Sequence, residues 1–169
     1  MRVTILMLVC KLDVTDEFIM MPSSLREKAM DYLSRREHSR VELKKKLLEK
    51  QFSETDIDTV LDKLATDNLQ SDARFAESYV HSRKLAGFGP KRIELELRER
   101  GVAQIIIDEA VDARSTAWQV QLKSVWRKKF ARIANTAQNK QQQFRFLFYR
   151  GYTSEAISTC LSDEWESET

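Results

Sequence analysis

Three stretches of this chain lie over one another at a fixed offset of 50 residues without a gap, and that register limits the fold more than any other feature of the sequence. Leu47, Leu97 and Leu147 align, and so do the basic residues Lys50, Arg100 and Arg150. Phe52, Val102 and Tyr152 follow two positions later. Ile57, Ile107 and Ile157 align next, then Leu61, Val111 and Leu161. A repeat of this length marks stacked supersecondary units, each too small to bury its own apolar face.

Each copy reads as helix, stop, helix. In the second and third copies the stop is Arg-Gly-apolar, at Arg100-Gly101-Val102 and Arg150-Gly151-Tyr152. A glycine just past a helix takes the left-handed conformation that ends it, and the next apolar residue folds back on the last turn. The basic residue suits the negative end of the helix dipole. The first copy has Gln51 in place of glycine, so its turn is expected to be looser, since a side chain there costs up to ~1 kcal/mol.

A further helix precedes each pair. Ser24 to Glu27 and Ser39 to Glu42 have capping-box spacing and open the first two helices. The first carries Leu25, Ala29, Tyr32 and Leu33 at helical spacing. Ser53 opens the third, with Ile57, Val60, Leu61 and Leu64 as its stripe. Ser71 opens a helix with Phe75, Ala76, Tyr79 and Val80, broken at Gly87-Phe88-Gly89-Pro90, where Pro90 suits the first position of the next helix. Trp118, Leu122, Val125, Trp126 and Ile133 predict a long amphipathic helix in the third copy. The chain has only 4 Gly and 2 Pro in 169 residues, too few for the turns of a β-rich fold.

The expected fold is all-α: three tandem three-helix repeats stacked into an elongated, curved array. The expected divisions are an amino-terminal extension over 1–22, repeats over 23–69 and 70–114, and a third repeat with an acidic tail over 115–169. The apolar run Val3 to Cys10 is far short of the roughly 20 residues that span a bilayer. It also lacks a small-residue cleavage site. Met20 and Met21 stand just before the pattern begins and are read as candidate alternative translation starts.

Two cysteines, Cys10 and Cys160, cannot build a disulfide framework or a metal quartet, and a reducing, cytoplasmic location is expected. His38 and His81 belong to no metal or nucleophile motif. His38 stands near a helix end, where contact with the dipole is its expected role. Gly87-x-Gly89 follows a helix rather than a strand, so it is read as a tight turn or hinge, not a phosphate loop. No catalytic constellation is present, and no cofactor or metal is expected.

The net charge of +2 hides segregation. Residues 114–150 hold nine basic residues and no acid: Arg114, Lys123, Arg127, Lys128, Lys129, Arg132, Lys140, Arg145 and Arg150. Arg40, Lys44, Lys45, Lys46 and Lys50 crowd one helix of the first copy, and Arg83, Lys84, Lys91 and Arg92 flank the Gly-Phe-Gly-Pro break. Residues 53–77, in contrast, carry seven acids and two bases, and residues 153–169 five acids and no base. A long acid-free stretch gains by meeting a polyanion. Its interleaved aromatics, from Trp118 to Tyr149, read as core at helical spacing or as stacking platforms for bases. Gln141, Gln142 and Gln143 read as a polar helix start or as phosphate and base contacts. The tail from Asp163 to Glu168 is expected to compete for the basic third repeat.

Ser71-Asp-Ala-Arg-Phe-Ala76, Ser82-Arg-Lys-Leu-Ala-Gly-Phe-Gly-Pro-Lys-Arg-Ile93 and Glu96-Leu-Arg-Glu-Arg-Gly-Val102 resemble the central signature of the bacterial RecX regulatory proteins. Tyr32-Leu33 with Arg40 to Leu47, and Phe146 to Tyr152, resemble the flanking repeats, so the likeness covers about residues 23–162. Gln51, the amino-terminal extension and the scarcity of acids in the third repeat depart from the pattern. The resemblance implies a non-enzymatic modulator of RecA, the recombinase that polymerises on single-stranded DNA. Family members lie along the filament groove and suppress its ATPase, strand-exchange and co-protease activities. The implied partners are the RecA filament and single-stranded DNA, with duplex DNA weaker, no membrane, and a monomeric chain. The basic residues named above are the candidate contacts. The alternative is a free-standing helical DNA-binding protein, since three-helix units with a basic helix resemble helix-turn-helix domains.

Overall fold

The computed structural model describes residues 23–131 and 136–166. The described residues form nine helices: α1 Ser23–Arg35, α2 Arg40–Leu48, α3 Glu54–Thr66, α4 Asp72–Leu85, α5 Pro90–Glu99, α6 Gln104–Val111, α7 Ala117–Phe130, α8 Ala137–Tyr149 and α9 Ser154–Glu166. They group in threes around separate cores. Leu25, Leu43, Leu47, Ile57 and Leu61 centre the first, Phe75, Ile93, Leu97, Ile107 and Val111 the second, and Leu122, Trp126, Leu147, Ile157 and Leu161 the third.

The register of fifty is therefore a core register. Leu47, Leu97 and Leu147 are completely buried, as are Ile57, Ile107 and Ile157. Full burial of such side chains contributes about 1.5–3 kcal/mol each. One aligned site departs: Leu43 and Ile93 are fully buried aliphatics, and the third copy buries Gln143 there. Its Oε1 accepts a hydrogen bond from Trp126 Nε1 at 2.8 Å. The glutamine run is thus not wholly a polar helix start.

The stops form as the residues dictate. Gly101 and Gly151 have φ of 74° and 90°. Gln51 takes φ 63°, and its N–H donates to Leu48 O at 2.8 Å, as those of Gly101 and Gly151 do to Arg98 and Phe148 at 2.9 Å. The first turn is looser by one bond: Val102 N–H donates to Leu97 O at 3.2 Å and Tyr152 N–H to Leu147 O at 3.3 Å, whereas Phe52 N–H makes no matching bond to Leu47 O. Ser39 caps α2 by accepting from Glu42 N, but Glu42 does not complete the box, because its carboxylate is held by Arg36. Ser53 makes no side-chain cap bond to α3, and its hydroxyl meets Thr55 Oγ1 instead. Ser71 and Thr136 cap α4 and α8. The extension over 1–22, with the apolar run and both candidate starts, lies outside the described residues, and so does Ile133.

The modules line up through two junctions that repeat the same offset. At the first, the α1–α2 corner meets the α5–α6 turn: Ser39 Oγ donates to Arg100 O at 2.8 Å. At the second, the α4–α5 corner meets the α8–α9 turn: Gly89 N–H donates to Arg150 O at 2.7 Å and Lys91 N–H to Gly151 O at 3.1 Å. Positions 39 and 89, and 100 and 150, are each one repeat apart. The first junction is completed by Asp72, whose Oδ1 accepts from Arg40 N at 2.8 Å, and by Arg74 on Glu37.

Candidate partner-binding surface

The cations singled out in the sequence divide into two populations. In module 1, Arg40 reaches Asp62 at 2.8 Å and Asp58 at 3.8 Å, and Lys44 reaches Glu54 at 2.8 Å and Asp58 at 2.9 Å. The basic helix α2 thus lies against the acidic helix α3, and much of its charge is answered inside the module. The hydrogen bonds that the Lys44 ammonium donates to Glu54 and Asp58 hold it above its ordinary pKa. Lys46 lies over the Tyr32 ring at 5.2 Å, while Lys45 and Lys50 are exposed.

Across modules 2 and 3 cations alternate with rings. Lys129 Nζ is 4.0 Å from the Phe146 centroid, and the Arg150 guanidinium is 4.5 Å from the same ring. Arg150 also lies 5.3 Å from Phe88, which takes Arg83 at 3.8 Å and Arg92 at 4.7 Å. Arg83 continues to Tyr79 at 5.9 Å, and Arg100 to the same ring at 4.6 Å. Each such contact stabilises by roughly 0.5–1 kcal/mol at an exposed site. Arg150 further donates to Ala86 O at 3.0 Å and Gly87 O at 3.2 Å, which fixes it across the second junction.

Glu96 is the carboxylate set into this ladder. It accepts from Arg83 Nε at 2.7 Å, Arg92 Nε at 3.0 Å and Tyr79 Oη at 2.9 Å. Burial pushes its carboxyl up, but the hydrogen bonds from Arg83, Arg92 and Tyr79 outweigh it and hold the group below the usual carboxylate range. Two of the five ladder cations on α4, α5, α7 and the two turns are thereby paired with one acid; Lys129, Arg150 and Arg100 face rings and carbonyls. A ring polarises toward a cation but does not cancel its charge, so this face keeps a positive excess.

The remaining candidates are scattered around that core. Lys84 lies over Trp118 at 4.7 Å, Lys91 pairs with Glu94 at 3.3 Å, and Lys123 with Asp163 at 2.8 Å. Arg114, Arg127, Lys128, Lys140 and Arg145 are exposed. Arg132 lies outside the described residues. The Lys123–Asp163 pair joins the third repeat to the root of the acidic tail.

The aromatic stretch also splits. Trp118, Trp126 and Phe130 are core, Phe144 and Phe146 are half-buried, and Phe148 and Tyr149 are 53% and 74% exposed. Helical spacing alone could not separate these, because all of them fit one or another face of α7 and α8. His38 is buried beyond the end of α1 with Nδ1 3.0 Å from Arg36 O. Burial holds its pKa below the ordinary value, so it is a neutral packing group and not a charged partner of the helix dipole. Phe88, Tyr79, Glu96 and Arg100 are the ladder residues that sequence reasoning did not single out as contacts; for Phe88 the signal was the crowd of Arg83, Lys84, Lys91 and Arg92 on both sides of it. Among the described residues no cluster of His, Cys, Asp and Glu could hold a metal, and no helix is long and apolar enough to cross a membrane.

Comparison with known proteins agrees with this architecture. The models of the first, second and third three-helix domains of RecX match residues 26–64, 71–111 and 119–161. A regulatory protein RecX of Ectopseudomonas mendocina (strain ymp) is 45% identical over 141 residues, 83% of this chain and 94% of that protein. One from Pseudomonas fluorescens is 44% identical over 140 residues, 82% and 90% of the two chains. The crystal structure of RecX from Lactobacillus salivarius superposes with a TM-score of 0.74 at 25% identity, covering 84% of this chain and 95% of that one.

Proposed function

This chain belongs to the RecX family of regulatory proteins, and from that premise we propose that it binds the RecA filament on single-stranded DNA and lowers its ATPase, recombinase and co-protease activities. The observation that carries the reading is the ladder of cations and rings across modules 2 and 3. It crosses a junction, so a partner bound along it engages two modules at once. A helical protein–DNA filament presents a repeated polyanion along its length. Lys129, Arg145, Arg150 and Lys128 supply the attraction, with Lys45 and Lys50 extending it onto module 1.

Bridging neighbouring subunits would resist the rearrangement that accompanies ATP turnover or filament growth. No residue of the ladder is arranged as nucleophile, general base or metal ligand. The reading is of a chain that acts by occupying a surface, in line with relatives named as regulatory proteins. The test is RecA ATPase on single-stranded DNA with rising amounts of the full chain. A fall at substoichiometric ratios supports the proposal, and no response at any ratio removes it. Tight, steeply salt-dependent binding to naked duplex with no effect on the filament would instead favour a free-standing DNA-binding protein.

A further inference from the structure

Helix α8 is a copy of α5 in which carboxylates have become rings. At the offset of fifty, Glu94, Glu96 and Glu99 align with Phe144, Phe146 and Tyr149. In α5 two of those acids tie down cations: Glu94 pairs with Lys91, and Glu96 with Arg83 and Arg92. In α8 the rings divide their work. Phe146 carries Lys129 and Arg150 as part of the ladder. Phe144 lies 6.2 Å from Phe148 with the two planes 14° apart, and so backs it. Tyr149 stands exposed beside the exposed Phe148, with centroids 6.5 Å apart and planes at 70°.

Apolar residues scattered singly over a surface are ordinary, but a contiguous aromatic pair backed by a third ring is not. Its surroundings say what covers it. Helix α8 holds no acid, and it exposes Gln138, Lys140, Gln141, Gln142 and Arg145 along with the two rings. Arg145 stands one turn before the rings, and Arg92 Nη1 donates to Tyr149 O at 3.2 Å, which brings a second cation beside them. A polynucleotide uses all three kinds of group: phosphates meet cations, base edges meet amides, and base faces meet rings. The spacing selects the form of the strand. Stacked bases of a duplex repeat every 3.4 Å or about that. Rings 6.5 Å apart and steeply inclined therefore take bases only from a strand whose bases have parted. We propose that Phe148 and Tyr149 form a base-stacking platform for single-stranded DNA, with Arg145 beside them for its phosphates. The platform rests on the polyanion-binding reading above and goes beyond it, because it is a contact with the strand itself that needs no filament protein.

The test measures binding of the full chain to labelled oligothymidine without RecA. The reference is an abasic strand of the same length, which has the same phosphates and no bases. The unmodified chain is expected to bind the abasic strand about 10-fold or more weakly, the size expected of one or two stacked bases. Phe148→Ala with Tyr149→Ala in one chain is expected to bind both strands alike, with an unchanged salt slope and the unmodified chain's affinity for duplex DNA. Equal affinity of the unmodified chain for the two strands overturns the platform, and this arm depends on no variant's folding. A double variant that still prefers oligothymidine overturns it too, as does one that loses duplex binding in proportion. Absence of any binding to oligothymidine at low salt does the same. RecA ATPase reads separately. A chain that inhibits the filament but does not distinguish bases keeps the function proposed above and loses the platform; one that prefers bases but leaves the ATPase unaltered does the reverse.

Discussion

Arg40 and Lys44 of module 1 face the carboxylates of α3, whereas Lys129 and Arg150 of module 3 face Phe146 and Phe88. Both groups hold their side chains in defined places. The difference lies in what is left over. An ion pair returns a neutral surface, and its strength falls with salt. A cation on a ring is held as firmly and keeps its charge for a partner. The same residue types thus fold one module in the first case and prepare a docking face in the second.

The comparison is broken most directly by charge reversal. Lys128→Glu with Lys129→Glu in one chain is expected to weaken filament binding by roughly 10- to 100-fold at low salt and to lower the salt slope, with a loss of stability of about 1 kcal/mol from the Lys129–ring contacts. Retained affinity in a low-salt filament-binding titration would remove the third module from the interface. Phe88→Ala tests whether the ring orders the cations. Loss of three cation–ring contacts should destabilise the chain by about 1–3 kcal/mol in urea unfolding and reduce affinity less than charge reversal does. Lys44→Glu should lower stability by about 1 kcal/mol with filament affinity close to that of the parent.

Smaller effects concern the groups beside the ladder. The Glu96 carboxyl is held below its ordinary value in the folded chain, so its share of stability is complete above the unfolded pKa of about 4.5 and is lost as pH falls through the lower folded pKa. Glu96→Gln should flatten the thermal midpoint against pH in that window. His38 is also shifted down, so its neutral form favours the fold above about pH 6.5, and acid removes that contribution below it. Removing the chain after Leu161 breaks the Lys123–Asp163 pair. Binding to a single-stranded oligonucleotide should then rise by about 2-fold, an effect of the size expected of one exposed pair; equal or weaker binding ends the case for competition by the tail.

Much of this was legible in the residues. Leu47, Leu97 and Leu147 announced the core because burial needs one apolar type at one helical phase, and repetition made the phase unmistakable. Gly87 to Pro90 announced a corner because few residues can end one helix and open another in four positions. The ladder was only half legible. Arg83, Arg92, Lys129 and Arg150 were visible as candidates and Arg100 was not, and the rings could be assigned to core or surface only after packing. Arg40 and Lys44 carried no sign that an acidic helix beyond Gln51 would fold onto them, although the acids of 53–77 were visible too.

Sequence by itself determined the helices, their stops, the three cores and the family, because these depend on periodicity and on backbone preferences that act within a few residues. Tertiary structure alone decided which cations lie against carboxylates and which against rings, and that Gly101 and Gly151 meet the neighbouring module at contact distance. Both depend on what lies a few ångströms away across a junction, between residues about sixty positions apart, and no local pattern encodes that distance.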